Sequence, residues 1–140
     1  MRLVLLHEGL TDSIIGVFYD VYNQLGYRFL ERVYQNAMYL ELKNEGYEVE
    51  AQKQIKVHYK GAMVGDYFAD LLVENTIILE LKACESLKEE HEIQLINYLR
   101  ATDIEVGLLL NFGKKPAMKR VVFANERKNL KKKQRGMERG

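Results

Sequence analysis

Apolar residues recur at helical spacing twice before the chain changes period. After Thr11, a good N-cap, Ile14, Ile15, Phe18, Val21, Tyr22 and Leu25 return every three or four residues. They predict a first helix that Gly26 ends in the left-handed conformation. Leu30, Val33, Tyr34, Ala37, Met38 and Leu42 form a second stripe and predict a helix over residues 29–45, with Gly46 as its C-cap. From Tyr47 the period is two. Val49 and Ala51, then Ile55, Val57 and Tyr59, alternate with polar residues as half-buried strands do. Lys60-Gly61 predicts a turn into a further strand running through Tyr67 to Val73.

Glu74-Asn75-Thr76 interrupts the pattern ahead of Ile77-Ile78-Leu79-Glu80-Leu81. That run is almost wholly apolar, which predicts a central strand covered on both faces. Residues 88–101 return to helical spacing, with Ile93, Ile96 and Leu99 expected on the buried side. Residues 106–112 predict another apolar strand, and 120–124 a short last one. The elements run α, α, three strands, α, β, which is an α/β fold with a central mixed sheet flanked by helices.

At 140 residues the chain suits one domain over residues 1–124, followed by a basic tail, flexible or helical, over 125–140. With 47% apolar and 29% charged residues the composition is that of an ordinary soluble protein. Cys84 has no second cysteine to pair with, and this points to a reducing, cytoplasmic location. The opening MRLVLLHEGL is too short and too soon charged for a signal peptide, and no run is long enough to span a membrane. The net charge of +1 is unevenly spread. From Lys119 onward nine Lys/Arg face two Glu, whereas the preceding residues hold twelve Lys/Arg and eighteen Asp/Glu. Such a tail, with Lys131, Lys132 and Lys133 at its centre, suits a phosphate backbone, although a solvated chain end has the same composition.

The chemistry concentrates around the Glu74-Asn75-Thr76 loop. If Val73 pairs with Ile77, Asp70 falls opposite Glu80 on one face of the sheet, and Lys82, two residues on, shares it. Ionised groups at the end of an apolar strand need partners. Either Lys82 bridges the two carboxylates, or the carboxylates hold a divalent cation with Lys82 beside it. Oxygen ligands suit Mg2+ or Mn2+, and zinc would call for the Cys or His ligands that the pattern lacks. Spacing alone favours the salt bridge, because a Glu-x-Lys triplet is common by chance. Glu31, in the first turns of the second helix, can point a further carboxylate back toward the sheet. Gln94 and Tyr98, four apart, share a face of the third helix. His91 lies near that face but is as well explained as a helix-start residue. His7 and His58 are expected at the surface, and Cys84 is expected to be a small buried residue.

In this order and spacing, Glu31, Asp70, Glu80-Leu81-Lys82 and Gln94-x-x-x-Tyr98 resemble the RecB-like branch of the PD-(D/E)xK nucleases. More narrowly, FLERVYQNAMYLEL, ADLLVENTIILELKACESL, HEIQLINYLRAT and VGLLLNFG resemble the small GxxExxY proteins, over roughly residues 10–124. The resemblance implies a restriction-endonuclease-like core. It makes Asp70 and Glu80 metal ligands, lets the Leu81 carbonyl complete the shell, and makes Lys82 the catalytic lysine. It makes Glu31 an outer or second acidic ligand, and Gln94 and Tyr98 supports. One position departs from the motif: Arg28 stands where GxxExxY has its glycine.

The expected function is metal-dependent hydrolysis of nucleic acid, DNA before RNA. Arg28, Arg32, Lys114, Lys115 and the tail would offset the acidic body. So small a chain suggests that structure or ends are recognised, or that a second copy or a protein partner supplies specificity. The alternative is a noncatalytic protein of the same fold that binds nucleic acid or a protein partner. A purely structural ion-pair cluster is the third reading and predicts no metal binding.

Overall fold

The computed structural model describes residues 6–128. The expected contacts of Lys131, Lys132 and Lys133 lie outside them. Among the described residues, helices α1 (Glu8–Leu25), α2 (Glu31–Asn44) and α3 (Glu89–Arg100) enclose five strands. These are β1 (Val49–Tyr59), β2 (Ala62–Val73), β3 (Ile77–Lys82), β4 (Val106–Phe112) and β5 (Pro116–Val122). The strands lie in sequence order in one mixed sheet. All neighbours are antiparallel except β3 and β4, which run parallel and are joined through α3. This is the expected α/β order, with the short last strand expected after it present as β5.

Each face of the sheet has its own core. Leu71, Val73, Ile77, Leu79 and Leu81 pack with Leu108 and Leu110 beneath Ile14 and Phe18 of α1 and Tyr34, Met38 and Leu42 of α2. Ala69, Leu72, Ile78 and Leu109 pack beneath Leu95, Tyr98 and Leu99 of α3. Strands β3 and β4 are therefore covered twice, as their unbroken apolar runs require.

The helices depart from the periodic reading in instructive ways. α1 begins a turn before Thr11, because Leu6 and Leu10 also reach the core and packing extends the helix past its best capping residue. Thr11 is consequently buried with its hydroxyl unpartnered. Gly26 does end α1, but with φ 68° and ψ −159° rather than in the left-handed helical region. α2 is shorter than residues 29–45. Leu30 precedes it in extended backbone and is 81% exposed, so the buried stripe starts at Tyr34. Glu45 is its C-cap, with Gly46 one residue beyond. On α3, Ile93 is 50% exposed and the buried side is Leu95, Tyr98 and Leu99. Gly107 selects that face: a Cβ there would lie 2.7 Å from Leu95 Cδ1, so the bare backbone lets Leu95 seat against β4. The last strand starts at Pro116 rather than 120 and ends before Phe123.

The period-two reading of residues 49–59 holds only in halves. Val49 belongs to the core under α1 and α2, whereas Ile55 belongs to the core under α3. Six residues apart in a regular strand, they would share a face. Gln52 lies between them with φ 55° and re-aims the strand. β2 changes face at the same level, since Ala69 and Leu71 are two apart yet sit in opposite cores.

Candidate active site

Asp70 stands where β2 changes face. The β2–β3 ladder runs Val73↔Ile77, Leu72↔Ile78, Leu71↔Leu79. The turn that sets this register has positive φ at both Glu74 and Asn75, with the Thr76 amide donating to the Val73 carbonyl at 3.0 Å. Beyond Leu71 the backbone ladder stops, and side chains replace it. The Asp70 amide donates to Glu80 Oε1 at 3.0 Å, and the Leu81 amide donates to Asp70 Oδ2 at 2.8 Å. Each carboxylate thus fixes the backbone of the other's strand.

Glu80 is only 5% exposed, and Asp70 is half-buried. Burial raises the pKa of both groups. For Glu80 it does so together with the neighbouring Asp70 charge, against the Asp70 amide and Lys82, and the result is about 8. For Asp70 burial outweighs the Leu81 amide and the Lys82 charge, and the pKa is pushed upward. Glu31 adds repulsion on both carboxylates, and Arg32 lowers Asp70. Lys82 therefore acts on the pair at a distance. Among the described residues it closes no salt bridge with either carboxylate, unlike the bridged cluster that spacing had favoured.

Two crowded carboxylates that repel one another form a donor set a small hard cation would relieve. Mg2+ and Mn2+ are commonly held by one or two carboxylates, with water or phosphate oxygens filling the other positions. Among the described residues no three His, Cys, Asp or Glu side chains gather into one metal-holding cluster. The pair is Asp70 and Glu80, with Glu31 at the exposed start of α2 within electrostatic reach of both.

Of the supporting pair, Tyr98 is buried, and its hydroxyl is pushed up to about 12 by burial and by the Glu80 and Asp70 charges. Gln94 is exposed. Both line a cleft of about 1320 Å3 between the β1–β2 arm and α3, with Tyr67, His91, Lys56 and Arg100 among its other walls. His91 Nδ1 accepts the Lys88 amide at 3.1 Å and closes the start of α3, while the residue also lines the cleft. Arg28 and Lys114 and Lys115 are exposed. Because β3 and β4 are parallel, residues 113–115 leave the sheet at the same end as Lys82. His58 is exposed and His7 half-buried. Cys84 is half-buried too, rather than buried, with its Sγ 3.2 Å from the Ser86 carbonyl.

A protein-family model matches residues 8–121, and its family is the PD-(D/E)XK nuclease superfamily. The chain belongs to that superfamily. Among solved structures, this superfamily member is similar to that described as the crystal structure of SSO0001, with 22% identity over 66% of the chain and 50% of SSO0001, at a TM-score of 0.52. That likeness supports the fold alone. An alkaline exonuclease from Laribacter hongkongensis is 13% identical over 68% of the chain and 57% of the exonuclease, at a TM-score of 0.39. The chain thus spans about half the length of either. No curated protein matches it. No helix among the described residues is long and apolar enough to cross a membrane.

Three polar residues near the candidate site were not singled out from sequence. Asn111, buried and in register with Lys82, accepts the Cys84 amide at 3.1 Å and donates to the Cys84 carbonyl at 2.9 Å. It thereby holds the chain that leaves Lys82. Gly113 completes that clamp, since a Cβ there would lie 2.5 Å from the Cys84 carbonyl. Gln35 and Gln52 join across α2 and β1 at 2.7 Å. A buried asparagine in an apolar strand is the signal that could have found Asn111. Gln35 and Gln52 look like surface residues in a linear reading.

Proposed function

We propose that this superfamily member is a divalent-metal-dependent nuclease that hydrolyses phosphodiester bonds in nucleic acid, with DNA as the first substrate to test. One observation carries the reading. Asp70 and Glu80 share a place where the sheet's own hydrogen bonds stop, each with one oxygen on a backbone amide and the other without a hydrogen bond among the described residues. The second oxygens are the natural ligands for Mg2+ or Mn2+, with the Leu81 carbonyl and Glu31 as further ligands. When bound, the cation supplies Lewis acidity at a phosphoryl oxygen and an acidified water. Lys82, bridged to neither carboxylate, is left to orient the attacking water or to stabilise charge on the pentavalent transition state. Tyr98 and Gln94 support the site from α3. Arg28, Lys114 and Lys115, with Lys131, Lys132 and Lys133 of the tail, meet the phosphate backbone.

The narrower reading, as a GxxExxY-type protein, draws support from Arg28. Its φ is 95°, a backbone suited to the glycine of that motif. An arginine thus occupies a glycine's conformation there and lies over the Tyr27 ring at 5.1 Å.

The test is cleavage of labelled single-stranded, duplex and branched DNA, and of RNA, with Mg2+ or Mn2+. Lys82→Ala and Glu80→Ala run alongside, each checked for folding. Cleavage by the unaltered protein that is lost in both variants supports the reading. An unaltered protein that is inert on every substrate, or variants that cut equally well, would leave the fold as a scaffold for binding nucleic acid or a protein.

A further inference from the structure

Gln52 sits across β1–β2 from Asp70. The pairs on either side are Ala51↔Leu71 and Lys53↔Ala69, which leaves Gln52 and Asp70 facing each other at the level where both strands change face. Gln52 has φ 55°, a left-handed conformation that a glycine adopts freely and a glutamine inside a strand does not. Backbone held this way persists only where its surroundings impose it, and such positions cluster at functional sites. Here the imposing contact is visible. Gln52 Nε2 donates to Gln35 Oε1 at 2.7 Å, and Gln35 is one of the few polar side chains buried in the described structure, at 5% exposure. Gln35 is four residues after Glu31 and so lies one turn along the same helix face.

The amide pair therefore ties together two elements that each bring a carboxylate to the site. On α2 it lies a turn from Glu31; on β1 it lies opposite Asp70. We infer that Gln35 and Gln52 are positioning residues: their hydrogen bond holds β1 in its left-handed turn, and this sets where Asp70 presents its oxygens and how α2 presents Glu31. The pair touches no reacting atom. It acts through the backbone that carries the carboxylates, one step further back than a group hydrogen-bonded to a metal ligand.

The inference rests on the proposed metal site, so its test reads metal affinity directly. Mn2+ binding is measured by titration calorimetry on the full chain and on two variants, with thermal melts alongside. Gln52→Gly keeps the backbone that φ 55° requires and removes only the side chain. Gln35→Met keeps a long side chain in the buried place and removes the acceptor. Partners bonded directly to metal ligands cost about 10–100-fold in metal affinity when removed, so each variant is expected to bind Mn2+ about tenfold more weakly at a temperature where it is fully folded. The double variant should fall no further than the worse single one, since both lose the same bond. A purely structural pair would lower the melting temperature and leave Mn2+ affinity in place; unchanged affinity in either folded variant overturns the inference alone. An unaltered protein that binds no Mn2+ overturns both the inference and the site beneath it.

Discussion

The β2–β3 hairpin holds two environments within a dozen residues. At its turn, Val73, Leu72 and Leu71 meet Ile77, Ile78 and Leu79 through a regular backbone ladder, every one of them buried. One pair further on, Asp70 and Glu80 face each other, the ladder is gone, and carboxylates accept the amides that backbone carbonyls would have taken. The first region is held by apolar burial, which is strong and indifferent to pH. The second exchanges that stability for two crowded carboxyl groups that resist ionising together, which suits a binding role better than a structural one. The contrast is local. The strands are the same, and a single step changes their purpose.

The largest effect belongs to the regular end. Leu79 is fully buried in the core under α1 and α2. Leu79→Ala is expected to lower unfolding free energy by about 2–5 kcal/mol in chemical denaturation, with little dependence on pH. A loss well under 1 kcal/mol would mean that the ladder does not anchor the hairpin.

The site end should respond in the opposite direction. The folded pKa of Glu80 is raised to about 8 from an ordinary 4.5, so between those values the folded state binds more protons than the unfolded one. Metal-free stability should therefore fall as pH rises from about 4.5 to about 8, and level off above. Glu80→Gln keeps an oxygen for the Asp70 amide and removes the charge. At pH 8 the variant is expected to be more stable than the unaltered protein by about 4 kcal/mol, and at pH 4 by almost nothing. The same logic gives Mn2+ its own signature: the rise in melting temperature that it causes should grow from pH 5 to pH 8 and vanish in Glu80→Gln. Stabilisation by Glu80→Gln that is the same at both pH values would show that relief of charge is not its source.

That contrast also marks how far the sequence could be read. The hairpin register, and with it the convergence of Asp70, Glu80 and Lys82, follows from a three-residue interruption between two apolar runs, because register in a covered sheet is set by pattern. The doubly covered strands β3 and β4 were legible for the same reason. The change of face at Gln52 and Asp70 was not. Val49, Ala51 and Ile55 look like one alternating strand, and nothing in their identities announces a glutamine with φ 55° between them. Nor could periodicity choose between Ile93 and Leu95 on α3, since both fit an apolar stripe, and the bare backbone of Gly107 on another strand decides. Local pattern carries the regular structure; the irregularities that build the site depend on contacts between elements distant in sequence.

The smallest effect tests whether strain at the site end serves binding. Arg28 lies three residues before the site's helix with φ 95°, and glycine would occupy that backbone without strain. A residue in such a region is held there at about 1–3 kcal/mol, while glycine gives back roughly 0.4–1 kcal/mol through the freer unfolded chain. Arg28→Gly should therefore stabilise the protein by about 1 kcal/mol, visible as a melting temperature higher by a few degrees. If the arginine meets a phosphate, the same variant should bind nucleic acid more weakly, and the slope of log affinity against log salt should shrink by about one. A gain in stability with binding and salt slope unchanged would assign Arg28 no part in the nucleic-acid contact. A loss of stability would mean that its stacking on Tyr27 outweighs the strained backbone, and the site end would then be better packed than its dihedral angles suggest.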